Sequence, residues 1–129
     1  MLQTDALILR FPARAGYLHV SRLNASAVGA EAGFDVDELE DLRLAVTEAV
    51  TWLLADPESG GEVELVMSAT DGTLRIDGTR SSSIALPDRA LDDLMDAVLG
   101  ATTDSHRLTS DGTVRVAQLS ISRHGLDDT

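Results

Sequence analysis

The stretch GFDVDELEDLRLAVTEAVTWLL, residues 33–54, carries the strongest structural signal in this sequence. Asp35 is followed three residues later by Glu38, the pairing of a helix capping box, and Gly33 is a typical stop for a preceding helix. Apolar residues then recur at helical spacing and predict one buried face. That face consists of Leu39, Leu42, Val46, Ala49 and Leu53. The stretch therefore predicts a long amphipathic helix that starts at Asp35.

One flank of this helix raises a functional question. Asp41, Ala45, Glu48 and Trp52 follow one another at about one-turn spacing beside the buried face. Carboxylates in such a place are usually solvated, and a tryptophan there usually completes the core. The same flank is also able to line a site, so the pattern alone leaves both interpretations open.

Upstream of this helix, the pattern predicts one strand and one helix. Alternation over ALILRF, residues 6–11, indicates a short edge or entry strand that ends before Pro12. Residues 15–32 have helical periodicity and place Arg22 well away from the apolar stripe. That stripe consists of Val20, Leu23, Ala27 and Ala30.

Downstream, the pattern predicts two hairpins separated by a third helix. The dipeptide Asp-Gly occurs at 71–72 and again at 111–112, and it is a strong hairpin turn signal. Between the hairpins, residues 79–87 have little pattern and predict a loop, whereas the leucines of residues 91–99 predict a helix.

The last strand, residues 113–123, shifts its apolar phase between Val116 and Ala117, which predicts a β-bulge. The predicted order is strand, helix, helix, two strands, helix and two strands. This order indicates a single domain, residues 1–129, of the α+β class. We expect a two-layer sandwich in which about three helices cover a mixed, mostly antiparallel sheet.

Composition and charge restrict the classes of function. The chain has no cysteine, which excludes disulfides, zinc–thiolate sites and thiol nucleophiles and fits a reducing cytoplasm. No segment resembles a signal peptide or approaches the ~20 apolar residues of a membrane span. The net charge of −12 comes from 22 acidic residues and ten arginines. It argues against binding to nucleic acid or membrane surfaces and favours a basic protein partner, although acidity alone also serves solubility.

The run GYLHVSRLNASAVGAEAGFDVDELEDLRLAVTEAVTWLL, residues 16–54, resembles the N-terminal half of RsbW-like anti-sigma factors. Its most telling pieces are VSRL and GFDVDELEDLRLAVTEAVT, and a weaker, colinear likeness continues from Val63 to Arg123. These proteins are serine-protein kinases of the GHKL superfamily, whose ATPase domain has the Bergerat, histidine-kinase-like fold. The resemblance implies that fold and, in kinase members, binding of ATP and magnesium.

The family's helix carries the motif Glu-x-x-x-Asn, in which the carboxylate is the general base and the amide oxygen holds magnesium. The resemblance puts the base on Glu48 and the metal ligand on Trp52. An indole has one N–H donor and no oxygen to offer magnesium. The resemblance therefore implies that Glu48 is a vestigial general base, and it predicts no metal site.

The family's adenine-binding motif is Asp-x-Gly-x-Gly, and the matching stretch of this sequence is IDGTRSSS, residues 76–83. Asp77 matches the acid, whereas the two glycine positions fall on Thr79 and Ser81. The glycine-rich lid that wraps the phosphates has no counterpart in IALPDRALDDLM, which contains no glycine. The resemblance thus leaves Asp77 as a weak, degenerate cofactor-binding residue.

Gly112 and Thr113 match the family's closing Gly-Thr turn, a turn that also occurs in ordinary hairpins. Without lysine, only Arg80 or Arg89 is left to neutralise a triphosphate. Phosphoryl transfer depends almost entirely on positioning and charge stabilisation. We therefore expect no cofactor, with ATP binding and kinase activity lost or greatly weakened.

The resemblance also implies protein partners. RsbW-like proteins sequester an alternative sigma factor, are displaced by a STAS-type anti-anti-sigma factor and commonly form homodimers. An acidic domain is complementary to the basic faces that sigma factors present to promoter DNA. Arg22, in VSRL, matches a family arginine that contacts partners.

These observations favour an anti-sigma factor in which ATP binding is lost or weakened. One alternative is an active serine-protein kinase that phosphorylates the anti-anti-sigma factor, with ATP and magnesium bound, Glu48 as base and Asp77 at the adenine. Another is a regulatory domain of the same fold with an unrelated partner. Co-purification distinguishes this last alternative from the favoured interpretation.

Overall fold

The computed structural model describes residues 5–123 as three helices on one face of a five-stranded sheet. In chain order the elements are β1 (Ala6–Pro12), α1 (Tyr17–Glu31), α2 (Val36–Leu54), β2 (Glu62–Thr70), β3 (Thr73–Ser81), α3 (Asp93–Thr102), β4 (Ser105–Asp111) and β5 (Val114–Ser122). The strand order is β1-β2-β3-β5-β4, and the four neighbouring pairs are all antiparallel. The predicted two-layer α+β class is confirmed, with an antiparallel sheet in place of a mixed one.

The junction between α1 and α2 follows from local capping chemistry. The N–H of Phe34 donates to the carbonyl of Gly29 at 3.0 Å, and Gly33 has the left-handed φ of 92°, which closes α1 in a Schellman motif. Asp35 and Glu38 then form a capping box with two reciprocal hydrogen bonds of 2.8 Å. The predicted end of the first helix and the predicted start of the second are both confirmed.

The buried face of α1 is not the one predicted from its larger apolar residues. Ser21, Ala25 and Gly29 are buried, whereas Leu23 is 58% exposed. The other members of the predicted stripe are also accessible to solvent: Val20, Ala27 and Ala30. A Cβ added at Gly29 would lie 2.7 Å from a Leu42 methyl group, so α1 approaches α2 too closely for large side chains. Small residues at four-residue spacing therefore form the packing face.

Replacing Gly29 by valine is expected to lower the free energy of unfolding by about 1–3 kcal/mol, because the branched side chain would displace Leu42. Urea denaturation measures this change. Ala27→Val, at an exposed position of the same helix, is the matched control. A loss of stability no greater than that of the control would show that the close approach of the two helices contributes little to the free energy of unfolding.

Helix α2 forms the centre of the core. The predicted inner residues are buried, apart from half-buried Leu39: Leu42, Val46, Ala49 and Leu53. Gly78 of β3 makes room for the helix, since a Cβ there would lie 2.8 Å from a methyl group of Leu53. Trp52, on the flank of the helix, is only 1% exposed. Trp52, whose role the sequence pattern leaves open, is thus a core residue.

Two predictions about the sheet are wrong for the same physical reason. Strand β3 continues through Ser81, where a loop from residue 79 was predicted, and β5 pairs with β3 in unbroken register, without the predicted bulge after Val116. Arg80 and Arg115 occupy inward-facing positions of these strands and are fully buried. Because arginine is counted as polar, it hides the alternation of an otherwise regular strand.

The third helix begins later than its leucine pattern suggests. Asp92 caps it by accepting the N–H of Met95 at 2.7 Å. Leu99 is fully buried, whereas Leu91 precedes the helix and Leu94 is 74% exposed. Over residues 5–123, none of the helices combines the length and the apolar character needed to cross a membrane.

Candidate functional site

The candidate site lies where α2 ends above β3 and β5. Glu48 is half-buried and makes no hydrogen bond or ion pair within the described residues. Trp52 lies one turn later, and its indole Nε1 donates to the carbonyl of Arg89 at 2.9 Å. Arg89 belongs to residues 82–92, which connect β3 to α3 and are called the β3–α3 connection. The indole therefore joins α2 to this connection.

Arg80 fills the space at the C-terminal end of α2. Its Nη1 donates to the carbonyl of Leu53 at 3.0 Å and also to that of Ala55. Its Nη2 donates to the carbonyls of Asp56 and Gly60, each at 2.8 Å. The last carbonyls of a helix lack partners within the helix and carry partial negative charge, which favours a cation there. Arg80 thus caps α2 and holds the loop that follows it.

Arg115 connects the same helix end to the β3–α3 connection. It donates to the carbonyls of Ala55 and Pro87, both at 2.8 Å, and to the Asp56 carboxylate at 2.7 Å. Its guanidinium carbon lies 5.8 Å from the centroid of the Trp52 ring, a favourable cation–π distance. The side chain is fully buried, and its Nε has no hydrogen-bond partner within the described residues.

Asp56 supplies the anion that Arg89 and Arg115 share. Its carboxylate accepts hydrogen bonds of 3.1 and 3.0 Å from Arg89 in addition to the one from Arg115. The hydrogen bonds from Arg89 and then from Arg115 lower the pKa of Asp56 from 3.8 to about 2. Burial in turn lowers the pKa of Arg80. We call these five residues the arginine–tryptophan cluster: Trp52, Asp56, Arg80, Arg89 and Arg115.

Replacing Asp56 by asparagine is expected to lower the free energy of unfolding by about 1–2 kcal/mol at neutral pH, allowing for the solvent that reaches Arg89. The folded pKa, about 2, lies below the reference value of 3.8. The ionised carboxylate therefore stabilises the fold above pH 3.8, and this contribution is lost as the pH falls through about 2. Urea denaturation at neutral pH and at several lower pH values measures the loss of stability and its dependence on pH.

Asp88→Asn, at an exposed position of the β3–α3 connection, is the control for this comparison. The difference between Asp56→Asn and the wild type should shrink as the solution is acidified. A difference that is the same at neutral and acidic pH would rule out an electrostatic contribution from Asp56.

Asp77, the residue predicted to bind adenine, does not lie near Trp52. In β3 it alternates with Ile76 and Gly78, which are buried against the helices, so its side chain faces the open side of the sheet. There it lines a shallow groove of about 230 Å³ together with Arg107 of β4. The structure thus separates the predicted adenine and metal positions by the thickness of the sheet.

Gly112 and Thr113 form the turn between β4 and β5, where they bind the β3–α3 connection. The carbonyl of Thr113 accepts the N–H of Ser82 at 3.0 Å, and that of Gly112 accepts the N–H of Leu86 at 2.9 Å. Together with the arginine–tryptophan cluster, these bonds hold the connection against the core from Ser82 to Arg89.

The sequence pattern does not predict the roles of Asp56, Arg80 and Arg115. A signal for the two buried arginines exists, because each continues the inward phase of its strand. The inward residues of β3 and β5 are Leu74, Ile76, Gly78 and Arg80, and Arg115, Ala117, Leu119 and Ile121. Within residues 5–123, no group of three or more His, Asp and Glu side chains is arranged to hold a metal ion.

Arg22, the predicted partner-binding residue, lies apart from the cluster. It is half-buried on the outer surface of the helix layer, in a groove between α1 and α2. The structure therefore contains two separate regions of interest, a filled site at the end of α2 and an open groove beside Arg22.

Comparison with curated proteins finds serine-protein kinases named RsbW among the relatives. No protein-family model matches the chain. The serine-protein kinase RsbW of Listeria monocytogenes serotype 4a is 40% identical over 47 residues, which cover 36% of this chain and 30% of that protein. The serine-protein kinase RsbW of Bacillus thuringiensis is 31% identical over 78 residues, 59% of this chain and 49% of the relative. The matched regions thus span less than half the length of these relatives.

Among solved structures, the chain resembles the crystal structure of the RsbU and RsbW domains of a Mycobacterium tuberculosis protein, with a TM-score of 0.68. The identity is 18%, and the match covers 92% of this chain and 32% of the other, so this likeness shows the fold. The sequence relatives and the shared fold together support the resemblance of this chain to the RsbW-like family.

Proposed function

We propose that this chain is an anti-sigma regulator that works by protein binding alone, without ATP. The observation that carries the proposal is the buried indole of Trp52, at the position where the family's motif has its magnesium-binding amide. An indole supplies no oxygen ligand, and its N–H is already bonded to the carbonyl of Arg89. The residues at this position therefore do not fit a magnesium nucleotide.

The arginines of the cluster support the same proposal. Three guanidinium groups would suit a triphosphate, but here each one is already bound to acceptors within the chain. Arg80 is bound to carbonyls, and Arg89 and Arg115 share the carboxylate of Asp56. Phosphate groups would have to displace these acceptors and leave polar groups without partners, at a cost of about 1–3 kcal/mol each. The cluster is thus a costly place for a nucleotide to enter.

Glu48 is, in this proposal, a vestigial general base. A carboxylate base contributes modestly to phosphoryl transfer unless a metal ion and phosphate contacts position the reactants. Asp77 lies on the opposite face of the sheet, and Gly112 and Thr113 are bonded to the β3–α3 connection. Glu48 therefore lacks the neighbours that would give it a reaction to catalyse.

The partners that we propose are an alternative sigma factor and a STAS-type anti-anti-sigma factor, in the cytoplasm, with Arg22 as one contact and the chain as a homodimer. The net charge of −12 supports an interaction with the basic surface of a sigma factor. Release then depends on the relative affinities and concentrations of the two proteins, because no nucleotide is consumed.

Two experiments with proteins of the source organism test this proposal. In the first, the sigma factor is titrated with the chain in the presence and in the absence of ATP and magnesium, and equal affinities are expected. In the second, the chain is incubated with labelled ATP and the anti-anti-sigma factor, and no phosphate transfer is expected. Label on a serine of that factor would establish the kinase alternative, whereas binding to neither protein would favour a regulator with another partner.

A further inference from the structure

A second groove lies on the other flank of α1, between that helix and the sheet. It runs along the C-terminal half of α1, the start of β1 and the β2–β3 turn at Asp71 and Gly72. We call it the hairpin groove. Its volume of about 710 Å³ is in the range of functional binding pockets. It shares no residue with the groove beside Arg22, so it is a separate feature of the surface.

The walls of the hairpin groove are largely apolar. Leu7 of β1 is 39% exposed, and it lies opposite Met67 of β2, which is buried beneath the groove. Apolar surface in a concave place loses water when an apolar side chain from another molecule enters it. Helix α1 and its C-terminal cap contribute only side chains too short to fill the space above these strands: Ala27, Val28 and Ala32. The groove can therefore hold an apolar anchor from a partner.

Three carboxylates surround this apolar surface: those of Asp5, Glu31 and Asp71. All three side chains are exposed, and none forms an ion pair or hydrogen bond with another described residue. No arginine or histidine is among the described residues that line the groove. Its charge thus has the same sign as the net charge of −12. A partner with lysine or arginine beside its apolar residue gains charge contacts there, whereas an acidic partner is repelled.

We propose that the hairpin groove is a docking site for the sigma factor, from which it takes an apolar side chain flanked by basic residues. This inference rests on the proposed function, in which the sigma factor is the basic partner. The groove beside Arg22 carries two arginines, Arg22 and Arg43, against one glutamate, so charge favours the hairpin groove for this partner. The apolar centre then governs the dissociation rate, and the carboxylates at the rim govern the association rate.

Two groove variants with matched controls test the inference. Leu7→Ser alters the apolar centre, and Ile8→Ser is its control, at an exposed residue of the same strand on the opposite face of the sheet. Glu31→Lys alters the rim, and Glu62→Lys makes the same change of charge at an exposed glutamate outside the groove. Glu31→Lys also places a cation in the last turn of α1, where it favours the helix, so this variant keeps the fold.

Biolayer interferometry with the sigma factor and, separately, the anti-anti-sigma factor measures the Kd and both rates. For the sigma factor, Leu7→Ser is expected to raise the Kd about tenfold, mainly through faster dissociation. Glu31→Lys is expected to raise it about fivefold, mainly through slower association, and this effect should shrink as salt is added. The two controls should stay within about twofold of the wild type, and the Kd for the anti-anti-sigma factor should change by no more than about twofold in any variant.

Other results would overturn the assignment and leave the proposed function intact. An unchanged Kd in both groove variants would remove the sigma factor from the groove. Equal effects of Glu31→Lys and Glu62→Lys, with no effect of Leu7→Ser, would show that the attraction comes from the overall charge of the chain. Weaker binding of the anti-anti-sigma factor alone would assign the groove to that protein.

The oligomeric state and the wild type supply the last two outcomes. A wild-type dimer that dissociates in Leu7→Ser without loss of affinity for the sigma factor, as measured by analytical ultracentrifugation, would assign the groove to a second copy of the chain. Failure of the wild type to bind the sigma factor would refute the proposed function and this inference together.

Discussion

Replacing Arg80 by methionine is expected to lower the free energy of unfolding by about 3–4 kcal/mol. Methionine keeps most of the volume but donates no hydrogen bonds. Four carbonyl groups around the end of α2 then lose a donor: those of Leu53, Ala55, Asp56 and Gly60. The helix also loses the cation at its C-terminal end. Urea denaturation at neutral pH measures the change.

Arg75→Met is the matched control, since Arg75 lies in the same strand but its side chain is exposed. A surface substitution of this kind changes the free energy of unfolding by about 0.5 kcal/mol or less. If the two variants lost equal stability, the hydrogen bonds of Arg80 to the helix end would be energetically unimportant, and the cluster would lose its structural role.

Replacing Trp52 by asparagine is expected to leave the chain unable to bind ATP, although this change restores the family's residue at the metal-binding position. Arg80 and Arg115 still fill the space, and the β3–α3 connection is still bonded to the turn at Gly112. The variant should instead lose about 3–5 kcal/mol of stability, because a small amide replaces a buried indole. Calorimetric titration with ATP and magnesium, together with urea denaturation, measures both effects.

Trp52→Phe separates the contribution of volume from that of the hydrogen bond. Phenylalanine keeps a ring beside Arg115 but loses the bond from Nε1 to the carbonyl of Arg89, so a smaller loss of about 1–2 kcal/mol is expected. Binding of ATP by Trp52→Asn would mean that a nucleotide pocket persists and that Trp52 alone closes it.

The elements of the fold were predictable where local chemistry determines them. The capping box of Asp35 and Glu38 and the left-handed Gly33 mark the helix boundaries, and Asp71 and Gly72 form the predicted turn with φ values of 53° and 78°. Each of these signals involves residues within a few positions of one another. They can therefore be predicted from the sequence alone.

The buried face of α1 was not predictable in the same way. Periodicity favours Leu23 as an inner residue because leucine is larger and more apolar than its neighbours. The structure places Gly29 inside, where the distance between α1 and α2 allows no side chain. That distance depends on how the two helices pack, and it determines which residues of α1 face outward.

The candidate site was predictable only in part. Resemblance to the family predicts that Trp52 stands at the metal-binding position, but no pattern links it to the arginines. Asp56 meets Arg89 and Arg115 across sequence separations of 33 and 59 residues. An arginine inside a strand also contradicts the usual polarity of inward positions. These contacts require the sheet and the helices to be assembled first.

The arginine–tryptophan cluster connects three parts of the chain: the end of α2, the loop after it and the β3–α3 connection. In the proposed function, these bonds are present at all times. The surface that a partner meets is then the same with or without nucleotide, and release of the sigma factor is governed by competition between proteins.

The most direct test of the proposal that ATP has no site in this chain is calorimetric titration of the wild-type protein with ATP and magnesium. We expect only the heat of dilution up to millimolar ATP, because Trp52 offers no metal ligand and the three arginines are bound within the chain. Saturable heat at micromolar ATP would contradict this proposal. It would mean that the cluster rearranges around a nucleotide and that the active kinase is the better description of the protein.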